Sequence, residues 1–363
     1  MARNDTDAAS LDDEQRDFLR RCTERPEAVD PDELFALLDS EGDERTLGAR
    51  ALRNYTRAAP GRMVDHGDRL VSYLDDEREA VRQSAIASIH RLVDGNHDAF
   101  VEPPIRPLID RLGREDQQTS KTIAETLAAL LEEDDPAVTE AVDTTVDLFE
   151  GNQFEAGSGI QALVVLGRSF PEPVMDRLGD RLRDDDPDVR KYSVRALAAL
   201  AADHPQFIVD ATPTLLSVLS DDDDYTREHA LSALVHAAKT DPSSLEGSVP
   251  VLVSLVDADH DRVRRGAVRI LAELGRADAD VSDAITALRG RLNDSDKITR
   301  RDAVYALGII RAEGALDELR TLTEHQDLEL QAVAASAVER ITEGESDPPM
   351  AGLDPGEIFL ARQ

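Results

Sequence analysis

The feature that most constrains this chain is an internal period of 36–37 residues. An Arg that follows the first apolar residue of a helical run recurs at Arg190, Arg227, Arg264 and Arg300, at steps of 37, 37 and 36. Arg45 and Arg82 stand 37 apart, and Arg82 precedes Arg190 by 108, three steps of 36. Self-similarity at such a period marks stacked supersecondary units, none of which buries its apolar face without its neighbours. It overrides length as a guide: 363 residues would otherwise suggest two or three domains.

The clearest unit is Asp184 to Ala202, DDDPDVRKYSVRALAALAA. Asp186 is placed to cap a helix and Pro187 suits its first turn. Val189, Ser193, Val194, Ala196, Leu197 and Leu200 then fall at helical spacing and form one buried face. Sustained alternating runs of β-branched and aromatic residues are lacking, so the units read as helix pairs. Nine pairs tile residues 31–341. They run from Pro31–Ser40 with Asp43–Ala58 to Ala315–Leu322 with Leu328–Ile341, joined by short Asp-rich turns such as 221–224, 257–261 and 293–296. Pro103-Pro104 should delay or bend the first helix of the third pair. The fourth pair carries Gly151, Gly157, Gly159 and Gly167, which indicates close helix packing or a bend. Residues 1–10 read as a flexible tail and 11–30 as an N-terminal capping helix. Residues 342–363 read as a polar C-terminal tail, whose Ile358, Phe359 and Leu360 fold back on the last repeat or dock on another protein.

With 41% hydrophobic residues, 4% aromatics and no Trp, the core must be Leu, Val, Ile and Ala. The formal charge is −34, from 75 acidic and 41 basic residues. Lys occurs only at 121, 191, 239 and 297. Such acid-rich, Lys-poor composition resembles that of proteins from salt-loving microbes. At about 1 M salt the Debye length is about 3 Å and the self-repulsion is screened; in dilute buffer it opposes folding. Wholesale binding of nucleic acid is disfavoured because phosphates are repelled. A single cysteine, Cys22, excludes a disulfide within the chain and a Cys-based zinc site. No basic segment followed by an apolar run opens the chain, and no stretch approaches 18 apolar residues. A cytoplasmic location is expected.

The repeated pattern is an Asp-rich turn, an apolar residue, Arg, two variable positions, a small residue, an apolar one, a variable one, then Ala-Leu. It resembles the HEAT-repeat family. DPDVRKYSVRALAAL from Asp186, DYTREHALSALVHA from Asp224, DRVRRGAVRILAELG from Asp261, DKITRRDAVYALGII from Asp296 and EREAVRQSAIASIHRL from Glu77 carry the likeness. The segments 119–132 and 153–169 depart from it by lacking the Arg. The resemblance implies an all-α fold, a right-handed α-solenoid of about nine HEAT-like helix pairs. It also implies that Arg45, Arg82, Arg190, Arg227, Arg264 and Arg300 form a structural ladder with turn carboxylates between neighbouring repeats. It says little about activity, because many roles use this scaffold.

Catalytic signatures are missing. The His-Glu dipeptides of the family's di-iron hydroxylases are absent; Glu228-His229 and Glu324-His325 run in the reverse order, and His229 with His236 alone makes no metal site. Asp257, Asp259 and Asp261 begin like a calcium loop, but Arg262 stands where Gly is needed and Val268 where Glu is needed. No phosphate loop, dinucleotide fingerprint or GxSxG nucleophile motif occurs. Cys22 reads as core. No enzyme activity, metal or cofactor is expected.

One feature stands against the acidic background. In HEAT-like stacks the second helix of each pair lines the concave face. Positions one and five residues after the ladder Arg then give Lys191 and Arg195, Glu228 and Ser232, Arg265 and Arg269, and Arg301 and Tyr305. In the N-terminal half they are Thr46 and Arg50, then Gln83 and Ala87. Helical geometry aligns them across repeats. The expected function is a non-catalytic protein-binding scaffold or adaptor, with an acidic partner segment held in the groove by Lys191, Arg195, Arg265, Arg269, Arg301 and Tyr305. Capture of these side chains by the chain's own carboxylates would remove that reading. The competing class is an auxiliary subunit or lyase-like enzyme, similar to bilin-lyase accessory proteins, which would need a pocket of converging titratable groups.

Overall fold

A computed structural model describes residues 11–95, 99–151 and 153–343, with the side chains of 153 and 154 left aside. The expectations for the N-terminal tail and for Ile358, Phe359 and Leu360 lie outside the described residues. Among the described residues every regular element is helical. The chain forms two compact units, 1–196 and 197–363.

The first unit contains α1 (Asp13–Glu24), α2 (Pro31–Leu38), α3 (Gly42–Ala58), α4 (Gly67–Val71), α5 (Glu79–Asp94), α6 (Ile105–Ile109), α7 (Gln117–Leu130), α8 (Pro136–Asp147), α9 (Gln153–Ser169) and α10 (Pro171–Arg181). The helix α11 (Pro187–Leu200) begins in it. The second helices form one layer: α1 packs on α3, α3 on α5, α5 on α7 and α7 on α9. First helices α6, α8 and α10 pack successively against each other. The second unit repeats the scheme with α12 (Pro205–Val218), α13 (Asp224–Thr240), α14 (Val249–Leu255), α15 (Asp261–Arg276), α16 (Ala284–Gly290), α17 (Lys297–Ile309), α18 (Leu316–Leu322) and α19 (Leu328–Glu343). There α13, α15, α17 and α19 make the second-helix layer.

The acidic turns explain where these helices begin. Asp116 Oδ1 accepts from the Thr119 backbone N–H at 3.0 Å, Asp186 Oδ1 from Asp188 at 2.8 Å, Asp223 Oδ2 from Thr226 at 3.1 Å and Asp296 Oδ2 from Thr299 at 2.8 Å. Each satisfies a donor that the helix itself leaves open. Two residues earlier a further Asp closes the turn on itself: Asp184, Asp221 and Asp294 accept from the N–H groups of 186, 223 and 296. At α1, Asp12 and Gln15 form a reciprocal capping box.

The core is aliphatic, as composition requires. Leu34, Phe35, Leu38, Leu52 and Tyr55 are fully buried in the first unit, and Leu231, Leu234, Leu271, Leu288 and Leu307 in the second. Each buried Leu contributes about 1.5–3 kcal/mol relative to an exposed one. Several first helices are shorter than the periodicity suggests. Segments 60–66 and 242–248 form 3-10 turns ahead of α4 and α14, where Pro60, Gly67, Pro242 and Pro250 break regular α bonding. Pro104 likewise holds the start of α6 back to Ile105. The glycine-rich fourth pair reflects close packing at Gly159, where a Cβ would lie 3.0 Å from the Thr145 carbonyl oxygen of α8.

Candidate partner-binding surface

The ladder arginines do two things, and the sequence indicated one of them. Arg264 Nη1 donates back to the carbonyls of Ala258 and Asp259, at 2.9 and 2.7 Å. Arg190 does the same to Asp184 and Asp185, at 2.8 and 3.1 Å. Arg300 reaches Asp294 and Ser295 at 2.6 and 3.2 Å, and Arg82 reaches Asp76 and Glu77 at 2.9 and 3.1 Å. Arg227 reaches the Asp221 carbonyl at 2.7 Å. The guanidinium thus clips the turn that precedes its own helix. Arg82 and Arg264 extend a second arm to the next repeat, and Arg45 makes the same crossing. Arg45 pairs with Asp76, Arg82 with Glu115 at 2.5 Å, and Arg264 with Asp294 at 3.0 Å. The receiving side chains of Glu115 and Asp294 are 1% and 2% exposed.

The basic positions singled out beside the ladder fall into separate units. In the first, the Lys191 ammonium lies 5.9 Å from the centre of the Tyr192 ring, and Arg195 is exposed. Arg195 makes no ion pair with a described residue. In the second, α15 and α17 bring Arg265, Arg269 and Arg301 onto one surface, together with carboxylates. Arg265 holds Asp261 at 2.7 Å and Asp296 at 3.3 Å. Arg269 Nε donates to Asp302 at 2.9 Å. Arg301 lies 3.7 Å from Asp302 and 3.6 Å from Glu329. The Tyr305 hydroxyl accepts from the Arg276 guanidinium. These three arginines are therefore not a bare cationic stripe: carboxylates of their own helices and of the next repeat match their charge. Asp302 is buried enough that desolvation pushes its carboxyl above the ordinary carboxylate range, although Arg269 and Arg301 oppose this.

Sequence reasoning passed over a different group. Arg53 and Arg57 of α3 follow Arg50 at three and seven residues, so the three share a face. Arg91 of α5 reaches across to Thr56 Oγ1 of α3 at 3.3 Å. A cleft of about 270 Å³ opens beside them, lined by Arg53, Gln83, Ile86, Ala87, Asp116 and neighbouring α7 residues. In the second unit a cleft of about 510 Å³ lies at the C-terminal ends of α15 and α17, floored by Ile285, Ile309 and Ile310 and rimmed by Arg276, Asp278, Arg311 and Arg340. Among the described residues no cluster of His, Cys, Asp and Glu has metal-binding geometry. No described helix is long and apolar enough to cross a membrane.

A family model described as HEAT repeats matches residues 175–271 and 249–339. Residues 175–339 carry HEAT repeats. The fold of the chain is an all-α solenoid of helix pairs, and solved structures share it at low identity. A Kap95p structure, determined with RanGDP, matches with a TM-score of 0.61 and 14% identity over 98% of this chain and 50% of that one. Kap121p bound to Nup53p matches with a TM-score of 0.58 and 17% identity over 93% and 42%. An engineered protein matches with a TM-score of 0.53 and 24% identity over 90% and 94%. The chain thus spans about half or less of the two Kap chains. No curated protein matches the sequence.

Proposed function

We propose that this HEAT-repeat chain is a non-catalytic scaffold or adaptor that holds a protein partner on its second-helix layers. The observation that supports it most is the lattice of inter-repeat bonds on those layers. Gln83 holds Asp116 at 2.6 Å, Arg265 holds Asp296, Arg269 holds Asp302, and Arg301 lies against Glu329. Each bond locks a long side chain of one repeat to the next, so the surface has its shape before a partner arrives. Side chains ordered in advance lose less entropy on binding. Kap95p and Kap121p, which share the fold, have been solved with protein partners, RanGDP and Nup53p.

On this reading Lys191 and Arg195 contact the partner directly. Arg265, Arg269, Arg301 and Tyr305 present a fixed polar surface of mixed charge. The acid excess keeps the chain soluble in a salt-rich cytoplasm. Affinity capture at molar salt, followed by hydrogen exchange of the purified complex, tests the proposal. Protection of α3, α5 and α7, or of α13, α15, α17 and α19, is the expected result. Protection confined to first helices, or no partner at all, refutes it.

A further inference from the structure

The scaffold reading leaves open what the partner presents, and the first unit carries an answer. In most of the chain a partly buried arginine holds a carboxylate: Arg82 with Glu115, Arg111 with Asp75, Arg181 with Asp184, Arg264 with Asp294. Acids outnumber bases by 75 to 41, so counter-charges are plentiful. Yet Arg50, Arg53, Arg57 and Arg91 make no ion pair with any described carboxylate. Arg91 is half-buried, and its guanidinium meets only neutral oxygens, Thr56 Oγ1 at 3.3 Å and the Ala87 carbonyl at 3.1 Å. Burial, followed by the like charges of Arg57 and Arg53, holds its pKa below the ordinary arginine value. A half-buried cation with like charges beside it weakens a fold, and an arriving anion relieves it.

The neighbouring cleft narrows the class of anion. Its floor is Ile86 and Ala87, and its rim is Gln83, Gln118, Thr119 and Thr122, with Asp116 already held by Thr119 and Gln83. About 270 Å³ of space takes one apolar side chain. Along α3, Arg50 to Arg57 spans about 10 Å at 1.5 Å per residue. That suits carboxylates on a short peptide, each gripped by a planar guanidinium fork. Nucleic acid fits less well. The cleft lining contains no aromatic ring for base stacking, and a net charge of −34 repels a long phosphate chain.

Building on the scaffold reading, we propose that Arg50, Arg53, Arg57 and Arg91 form the docking site for a short acidic peptide segment, with one apolar side chain of that segment seated in the Ile86–Ala87 cleft. The test uses the full chain in 1 M KCl and a fluorescein-labelled 12-residue peptide of Asp and Glu with one central Phe, followed by anisotropy. The expected result is saturable binding that weakens at least tenfold in R53E/R57E. Both residues are exposed, so circular dichroism and the unfolding midpoint should stay at wild-type values. Lys297→Glu, an exposed change on α17, leaves binding intact, and replacing the Phe by Gly weakens it. Absence of binding at 1 mM peptide, equal binding by R53E/R57E, or indifference to the Phe overturns the proposal. So does a twelve-nucleotide oligo-dT that binds more tightly than the peptide. The two readings fail separately. A partner that protects the second helices and is retained by R53E/R57E leaves the scaffold standing and removes this site.

Discussion

Arg264 is where the ladder can be measured. It is 7% exposed and makes three charge-assisted bonds, two to the carbonyls of its own turn and one to Asp294 of the next repeat. Truncating one member of a buried pair costs about 3–5 kcal/mol. Asp294 keeps the Asp296 N–H at 2.8 Å and Arg291 at 3.3 Å, and the turn carbonyls, only partly buried, can take water. Arg264→Ala should therefore fall at the low end, about 3 kcal/mol. Arg300 is the internal control, because it clips its turn by the same two-carbonyl geometry and makes no ion pair with a described carboxylate across the repeat. Arg300→Ala should cost about 1 kcal/mol, within the range for hydrogen bonds that water can replace. Urea unfolding in 1 M KCl, followed by circular dichroism, reads the difference of about 2 kcal/mol. A double-mutant cycle of Arg264→Ala with Asp294→Ala should give a coupling above about 1 kcal/mol. Equal losses for the two arginines, or additive effects in the cycle, would show that the cross-repeat arm contributes nothing and that the ladder is only a turn clip.

Four further expectations rest on other parts of the structure. A Cβ on Gly48 would lie 2.8 Å from the Leu38 backbone nitrogen, and backbone cannot move aside, so Gly48→Ala should cost about 1–3 kcal/mol in thermal or urea unfolding. Asp302 has its pKa raised by burial above 3.8; the folded state binds that proton more tightly, so the contribution is present below pH 3.8 and lost as pH rises through the folded value. Asp302→Asn should accordingly gain in urea midpoint relative to wild type between pH 3.5 and pH 7, and a relative fall would contradict the assignment. Burial pushes the Cys22 thiol up to about 11, so iodoacetamide at pH 8 should label the unfolded chain at least tenfold faster than the native one. Raising KCl from 0.15 to 2 M should raise the unfolding midpoint, since the net charge of −34 is then screened within a few ångströms; a flat or falling midpoint would count against adaptation to salt.

The helices were legible because apolar spacing and Asp caps act within a dozen residues, and Pro187 and Asp186 stand where a helix start needs them. The site was less legible because its electrostatics are decided a full repeat away. Spacing puts Arg265, Arg269 and Arg301 on one face, but it does not show what stands opposite them. The structure supplies the missing offset. Inter-repeat partners on the second-helix layers fall about twenty-eight to thirty-three residues on: Asp76 for Arg45, Asp116 for Gln83, Asp294 for Arg264, Asp302 for Arg269 and Glu329 for Arg301. That offset follows from the repeat length less about one to two turns of helix, so it is a property of the stack and not of any one residue. Applied to Arg53, Arg57 and Arg91, it finds no acid: Arg53 looks onto 81–86, Val-Arg-Gln-Ser-Ala-Ile; Arg57 onto 85–90, Ala-Ile-Ala-Ser-Ile-His; and Arg91 onto 119–124, Thr-Ser-Lys-Thr-Ile-Ala. Arg50 looks onto 78–83, where Glu79 bonds Gln83 and makes no ion pair with Arg50. An arginine on a second helix bonded to a carboxylate at that offset belongs to the framework. Four neighbouring arginines bonded to none, in a chain this acidic, carry charge that the framework does not consume, and that surplus is what a partner can use.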